Sequence, residues 1–188
     1  LARIKHRVVM VGRLAPEKGP DAALRIFARV HAAVPDATLE LRGYALSPAY
    51  QTQLETQADK LGVRASVLFA PYTTGLALQQ SYQQAQVLLA PSQHEGFGMQ
   101  LVEALECGTP VLAYDVEYGP REVIEPGVNG DLVQAGSESA AASKLIKMLT
   151  EAPLWHALHQ GALMSAKRFG PEAAGKQWQA FLAANPVQ

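Results

Sequence analysis

The sequence predicts an α/β fold, a doubly wound parallel sheet of about six strands with helices on both faces. Three observations carry this. Short runs such as Val8-Val-Met-Val11 and Val87-Leu-Leu-Ala90 are wholly apolar, as strands buried on both faces require. Segments with apolar residues at helical spacing separate those runs, so strand and helix alternate along the chain. Gly or Pro closes most runs and marks the element ends.

The elements follow in order. Val8–Val11 ends at Gly12, and the loop Arg13–Pro20 leads into a helix that starts at Pro20 and Asp21. In that helix Leu24, Phe27, Val30, His31 and Val34 share one face. Pro35-Asp36 stops it. Strands are expected at 37–43, 65–70, 86–90, 108–114 and 131–133, with helices at 48–61, 75–85, 98–107 and 137–149. Residues 121–124 read as a helical turn closed by Glu125–Gly130, and two further helices span 153–169 and 171–184. The glutamines within 79–86 read as a solvated helix face.

The bulk properties bound the function. A chain of 188 residues, 48% hydrophobic and 18% charged, can form a single domain over 1–188 with its own core. A net charge of -1 gives no basic field for nucleic acid or an anionic membrane. The lone Cys107 excludes a disulfide framework, fits a reducing compartment and reads as a small buried residue. No apolar run approaches the ~20 residues of a membrane helix, and no signal-peptide pattern is visible. The chain lacks an initiator Met and runs directly into a strand, so we expect a fragment that begins at a domain boundary. Arg3, Lys5, His6 and Arg7 then belong to a linker remnant, 1–7, with an anionic-surface patch as the alternative.

Ligands of such sheets bind beyond the carboxyl ends of the strands. Loops 12–20, 71–75, 91–98 and 114–121 leave those ends. The richest is Ser92–Gly98. A helix beginning near Gly98 offers unpaired N–H groups at 98–101 and the positive end of its dipole, which attract a phosphate. Gly96 and Gly98 allow close backbone approach. Glu103, one turn above Met99, can accept hydrogen bonds from a vicinal diol such as ribose, and Glu95 from a sugar beyond the phosphates. The alternative is a helix with a good N-terminal acid and an ordinary exposed Glu. His94 reads as a loop residue; Met99, Leu101, Val102 and Leu105 read as mostly core. Arg13 and Lys18 can compensate a diphosphate and stabilise it as it leaves, or they can be surface charges. Glu17 reads as loop-shaping or solvated. The dinucleotide fingerprint, the phosphate-binding P-loop, a nucleophile elbow and metal-ligand spacing are all absent from the sequence, so no metal or cofactor is expected.

Four segments together carry a resemblance. They are Val11-Gly-Arg13-Leu-x-x-Glu17-Lys18-Gly19, Glu95-Gly-Phe97-Gly followed by Glu103-Ala, Cys107-Gly-x-Pro110-Val111, and Gly127-x-Asn129-Gly-x-Leu132-Val133. They resemble the family 4 retaining glycosyltransferases of the GT-B fold, and within them the C-terminal, Rossmann-like donor-binding domain, from residue 8 to about 150. Tyr114-Asp-x-x-Tyr118-Gly-Pro-x-Glu122-x-Ile124 further resembles the poly(glycerol-phosphate) α-glucosyltransferases and related wall teichoic acid enzymes.

The resemblance implies roles at matching positions. Arg13 and Lys18, beside Gly12, hold the donor diphosphate; Glu95 faces the donor sugar; Glu103 binds ribose. The amides of Gly96, Phe97, Gly98, Met99, Gln100 and Leu101 hold hexose hydroxyls and phosphate. Glu95, Arg13 and Lys18 are thereby the catalytic candidates. Pro71-Tyr72 departs from the Gly-containing turn of the family's base pocket, and Tyr72 either stacks on a uracil or packs. The implied reaction moves a hexosyl unit, glucose or GlcNAc, from a UDP-sugar donor to a hydroxyl such as that of a cell-wall polymer, with retention and without metal. GDP and ADP stay open as nucleotides. The acceptor site would lie in an N-terminal domain of the same polypeptide, so these residues alone would be inactive. The helices within 153–184 would sit near the interdomain face and leave an apolar patch exposed. The implied location is cytoplasmic, peripheral to the inner membrane face in a full-length enzyme. A noncatalytic nucleotide-binding or interaction module with the same fold is the alternative. A nucleotide-sugar epimerase fits less well, lacking this pair of glutamates.

Overall fold

A computed structural model describes residues 2–185. Leu1, the first residue of the expected linker segment, lies outside them. The six parallel strands are β1 (Arg7–Val11), β2 (Thr38–Arg42), β3 (Val67–Ala70), β4 (Val87–Ala90), β5 (Val111–Asp115) and β6 (Gly130–Gln134), in the order β3-β2-β1-β4-β5-β6. The sequence therefore steps outward from β1 to β3, returns to β1 and steps outward the other way. Val8 stands opposite both Leu39 and Val87, so β1 is the hinge of the two halves.

The helices are α1 (Pro20–Ala33), α2 (Pro48–Lys60), α3 (Gly75–Gln84), α4 (Met99–Glu106), α5 (Pro120–Val123), α6 (Glu138–Thr150), α7 (Ala152–Ala166) and α8 (Pro171–Ala184). One face of the sheet buries Leu24, Phe27 and Val30 of α1, Leu54 of α2 and Leu145 of α6. The opposite face buries Tyr82 of α3, Leu101 and Leu105 of α4 and Ala162 of α7. The apolar strand runs are buried on both sides: Val8, Val9, Leu88 and Leu112 have no accessible surface. That is the physical content of a strand without polar alternation.

Some expectations need correction. Residues 64–66 form a 3-10 turn, and β3 starts only at Val67. β5 starts at Val111, because the N–H groups of Gly108 and Thr109 are taken by Leu105 O (2.9 Å) and Ala104 O (2.8 Å), which close α4. Gln86 is no solvated residue: its side chain accepts from the His6 N–H (2.7 Å) and donates to Leu149 O (3.0 Å). Cys107 is only half-buried. Asn129 is fully buried and shapes its turn, accepting from the Glu125 N–H (2.8 Å) and donating to Val123 O (3.1 Å).

The residues before β1 are clasped. The Arg3 guanidinium donates to the carbonyls of Ala85 (2.5 Å), Cys107 (2.9 Å) and Gly108 (2.6 Å) and to Thr109 Oγ1 (2.9 Å). It also lies over the Trp155 ring, which stacks on His159. At the other terminus α8 buries none of its residues, and Trp178, Phe181 and Leu182 face solvent. The buried Glu40 of β2 is held between the guanidinium groups of Arg7 and Arg42.

Candidate functional site

The strand order reverses between β1 and β4, so their following loops leave in opposite directions and open a crevice. Two loops line it. The β1–α1 loop contains a 3-10 turn, Pro16–Lys18, and ends at Gly19. The β4–α4 loop runs from Pro91 to Gly98. The loops are joined by a backbone bond from the Gln93 N–H to Glu17 O (2.9 Å). Gly19 has φ +74 and sits so close that a Cβ would meet Pro91 O at 2.2 Å. Only glycine fits there.

This stitching brings Lys18 and Glu95 together across 77 residues of sequence. Lys18 Nζ donates to both carboxylate oxygens of Glu95, at 2.7 and 2.6 Å. The Glu95 side chain is 6% exposed and that of Lys18 26%, so the carboxylate is the buried partner. Gln100 Nε2 adds a third donor to Glu95 Oε1 at 3.2 Å. Arg13 turns toward Glu17 and forms an exposed ion pair with it. The Glu17 carboxyl is held below its ordinary range by its own backbone N–H and then by the Arg13 guanidinium. Glu17 thus shapes the loop. The two cations expected at one anion are each paired with a glutamate here.

α4 starts at Met99 behind Gly98, whose left-handed conformation (φ +85) turns the chain into the helix with no side-chain cap. One of the four N–H groups expected to be free is taken: the Leu101 N–H donates to Gly98 O at 2.8 Å and closes the first turn, so among the described residues the uncapped start offers the N–H groups of 98–100. Met99 is 59% exposed, which corrects its reading as core: the first residue of the helix projects outward, while Leu101, Val102 and Leu105 are buried as expected. Phe97 is partly exposed and meets Phe169 edge-on at 5.9 Å. His94 is an exposed loop residue. Glu103 lies deeper along α4, and Tyr82 Oη donates to its Oε2 at 2.8 Å. Burial and the Glu103 charge push the Tyr82 hydroxyl far above its ordinary range, so it stays a donor. Among the described residues the other Glu103 oxygen has no protein donor.

Beyond the β2 and β3 ends lies a cavity of about 470 Å³ lined by Leu14, Gly43, Tyr44, Ser47, Phe69 and Tyr72 among others. Tyr72 and Tyr44 are both exposed and meet edge-on at 5.9 Å. Pro71 O accepts from Arg42 Nη1 at 3.1 Å and fixes the start of this loop. The loop after β2 was not among those singled out from the sequence. Gly43 at the end of a strand beside β1 was the available signal for Tyr44. Among the described residues no three or more His, Cys, Asp or Glu are grouped to hold a metal ion.

A crevice at the switch point of a parallel sheet places the chain among the doubly wound α/β domains. The chain belongs to the family described as glycosyl transferases group 1, which it matches over residues 4–163. It is 33% identical over 177 residues to a D-inositol 3-phosphate glycosyltransferase of Streptosporangium roseum, covering 88% of this chain. The chain spans 37–39% of the length of the first four curated relatives it matches. Among solved structures it superimposes on Anabaena HepE in complex with UDP and glucose with a TM-score of 0.85 at 26% identity, covering 96% of this chain and 48% of that one. A TarM variant of S. aureus, in complex with fondaparinux, alpha-GlcNAc-glycerol and UDP, gives 0.86 at 21% identity, covering 95% and 35%. The fold is that of GT-B glycosyltransferases. No helix among the described residues is long and apolar enough to cross a membrane.

Proposed function

We propose that this chain is the donor-binding domain of a retaining hexosyltransferase that uses a UDP-sugar, with glucose or GlcNAc as the transferred unit. The observation that carries the reading is the Lys18–Glu95 pair at the start of α4, in the β1–β4 crevice. In this reading the diphosphate lies across the α4 N-terminus, where Lys18, Arg13 and the amides of 98–100 compensate its charge. Glu103 takes the ribose diol through the oxygen that Tyr82 leaves open. The base enters the cavity that Tyr44 and Tyr72 line. Glu95 accepts hydroxyls of the hexose. HepE, solved with UDP and glucose, supports this ligand class.

The chemistry breaks the bond between the sugar anomeric carbon and the diphosphate oxygen. A bond to the acceptor oxygen forms on the same face, and the acceptor proton passes to the departing diphosphate. The residues of this chain position the donor and stabilise the charge that develops on the leaving group. No metal is needed where cations and helix amides already face the diphosphate. The acceptor, a hydroxyl on a cell-surface polymer or a small polyol phosphate, is assigned to a separate N-terminal domain, so the 188 residues alone bind donor without turnover. The teichoic acid subgroup is the narrower form of the same proposal, and action at the cytoplasmic membrane face belongs to it.

Calorimetric titration with UDP, UDP-glucose and UDP-GlcNAc tests the reading. Binding is expected, and Lys18→Ala is expected to weaken it by about tenfold or more, as loss of a charge-assisted contact does. If no nucleotide binds at millimolar concentration and Lys18→Ala changes nothing, the donor-domain reading falls and a module that keeps only the fold replaces it.

A further inference from the structure

The Lys18–Glu95 pair closes the crevice electrostatically, and the two ends of the closing bond differ in what release costs them. Lys18 is about one-quarter exposed, so its ammonium has water available when it leaves Glu95. The Glu95 side chain is 6% exposed and, without Lys18, retains among the described residues the Gln100 amide alone, at 3.2 Å. A buried carboxylate stripped of its cation is strongly disfavoured unless other donors replace it. A ligand that draws Lys18 away therefore binds well only if it also brings hydrogen-bond donors to Glu95.

We propose that the Lys18–Glu95 pair is a specificity device that selects an intact nucleotide-sugar over the bare nucleoside diphosphate. The inference rests on the donor-domain reading and adds a coupling to it. The diphosphate competes with Glu95 for Lys18, and the sugar hydroxyls take over the vacated carboxylate. Phosphate and sugar subsites are thus linked through one exchangeable ion pair, and each is weak without the other. A bare diphosphate, the form left after transfer, satisfies Lys18 and strands Glu95. The pair re-forms as that product leaves, which favours its release.

The test compares UDP with UDP-glucose on the wild-type chain, Glu95→Gln and Glu95→Ala by calorimetry, with circular dichroism confirming that each variant is folded. Wild type is expected to prefer UDP-glucose. Removing the carboxylate frees Lys18, so both variants are expected to bind UDP more tightly than wild type, by about tenfold, within the usual range of site coupling. Their preference for UDP-glucose is expected to shrink or vanish. If wild type binds both ligands and neither variant gains affinity for UDP, the coupling is wrong while the donor-domain reading stands. If wild type binds neither ligand, the donor-domain reading itself fails and the coupling falls with it. An unfolded Glu95→Ala leaves the milder Glu95→Gln to decide, since its amide keeps the shape of the side chain.

Discussion

The two ends of the parallel sheet use the same kinds of residues to opposite effect. At the amino ends of the strands, Arg3 is surrounded by backbone carbonyls of Ala85, Cys107 and Gly108, with Thr109 beside them and Trp155 beneath. Its carbonyl partners cannot move without moving the main chain. At the carboxyl ends, Lys18 and Arg13 are held, among the described residues, by the flexible side chains of Glu95 and Glu17. Those partners can be exchanged for a ligand by rotation about side-chain bonds. Arg3 is thereby fixed with the fold, whereas Lys18 and Arg13 can change partner at the crevice. Charge and residue type alone do not separate the two cases.

The largest effect expected from breaking this contrast is on stability. Arg3→Ala leaves three carbonyls and a hydroxyl short of a donor and uncovers Trp155, so the loss is expected at about 3 kcal/mol in urea denaturation. Donor affinity of the molecules that stay folded should not change. A fall in affinity instead would show that the closed end communicates with the crevice.

A middle-sized effect is expected at the loop stitch. Gly19→Ala combines a left-handed backbone with a contact to Pro91 O, and a loss of about 2–3 kcal/mol is expected together with weakened donor binding. Gly136 has a similar φ of +80 with nothing within 4 Å of its missing Cβ, so Gly136→Ala should cost only about 1 kcal/mol and leave binding intact. Equal losses in thermal melts of the two variants would mean that the close approach contributes nothing.

The smallest effect concerns Cys107, beside the clasp. Burial first, then the Glu106 charge, pushes its thiol up to about 11 from the ordinary 9.0. At pH 8 its alkylation by iodoacetamide should be about a hundredfold slower than that of an unperturbed thiol, because only the thiolate reacts. The folded state keeps this proton longer than the unfolded chain does. Stability from this group is therefore full below pH 9 and declines between pH 9 and about 11. Rapid alkylation of the folded protein at pH 8 would show that the amino end is more open than the clasp implies.

The fold was legible because its signals are local. Apolar runs, helical spacing and Pro or Gly stops place all six strands and their order of alternation. Element ends shifted where hydrogen bonds reach back, as at Gly108 and Thr109, whose N–H groups serve the preceding helix. The candidate site was legible by residue type but not by pairing. Lys18 meets Glu95 only because Gly19 and Gln93 bring two loops together, a contact that no periodicity encodes. Arg3 and Gln86 read as linker charge and solvated surface, since their partners are mostly backbone groups distant in the sequence. Met99 read as core because apolar character was taken for burial at a helix start that points outward. Tyr44 carries little signal in the sequence, because a single aromatic after a strand-ending glycine has no pattern around it.

The backbone bond between Gln93 and Glu17 carries a lesson for engineering. Loops of α/β enzymes are commonly exchanged singly to change selectivity, on the premise that each is an independent graft. Here the two loops share main-chain hydrogen bonding and a contact that admits no side chain, so they form one transplantable unit. A chimaera that imports either loop alone would misalign the other. Libraries intended to retune this crevice should recombine residues 12–20 and 91–98 together.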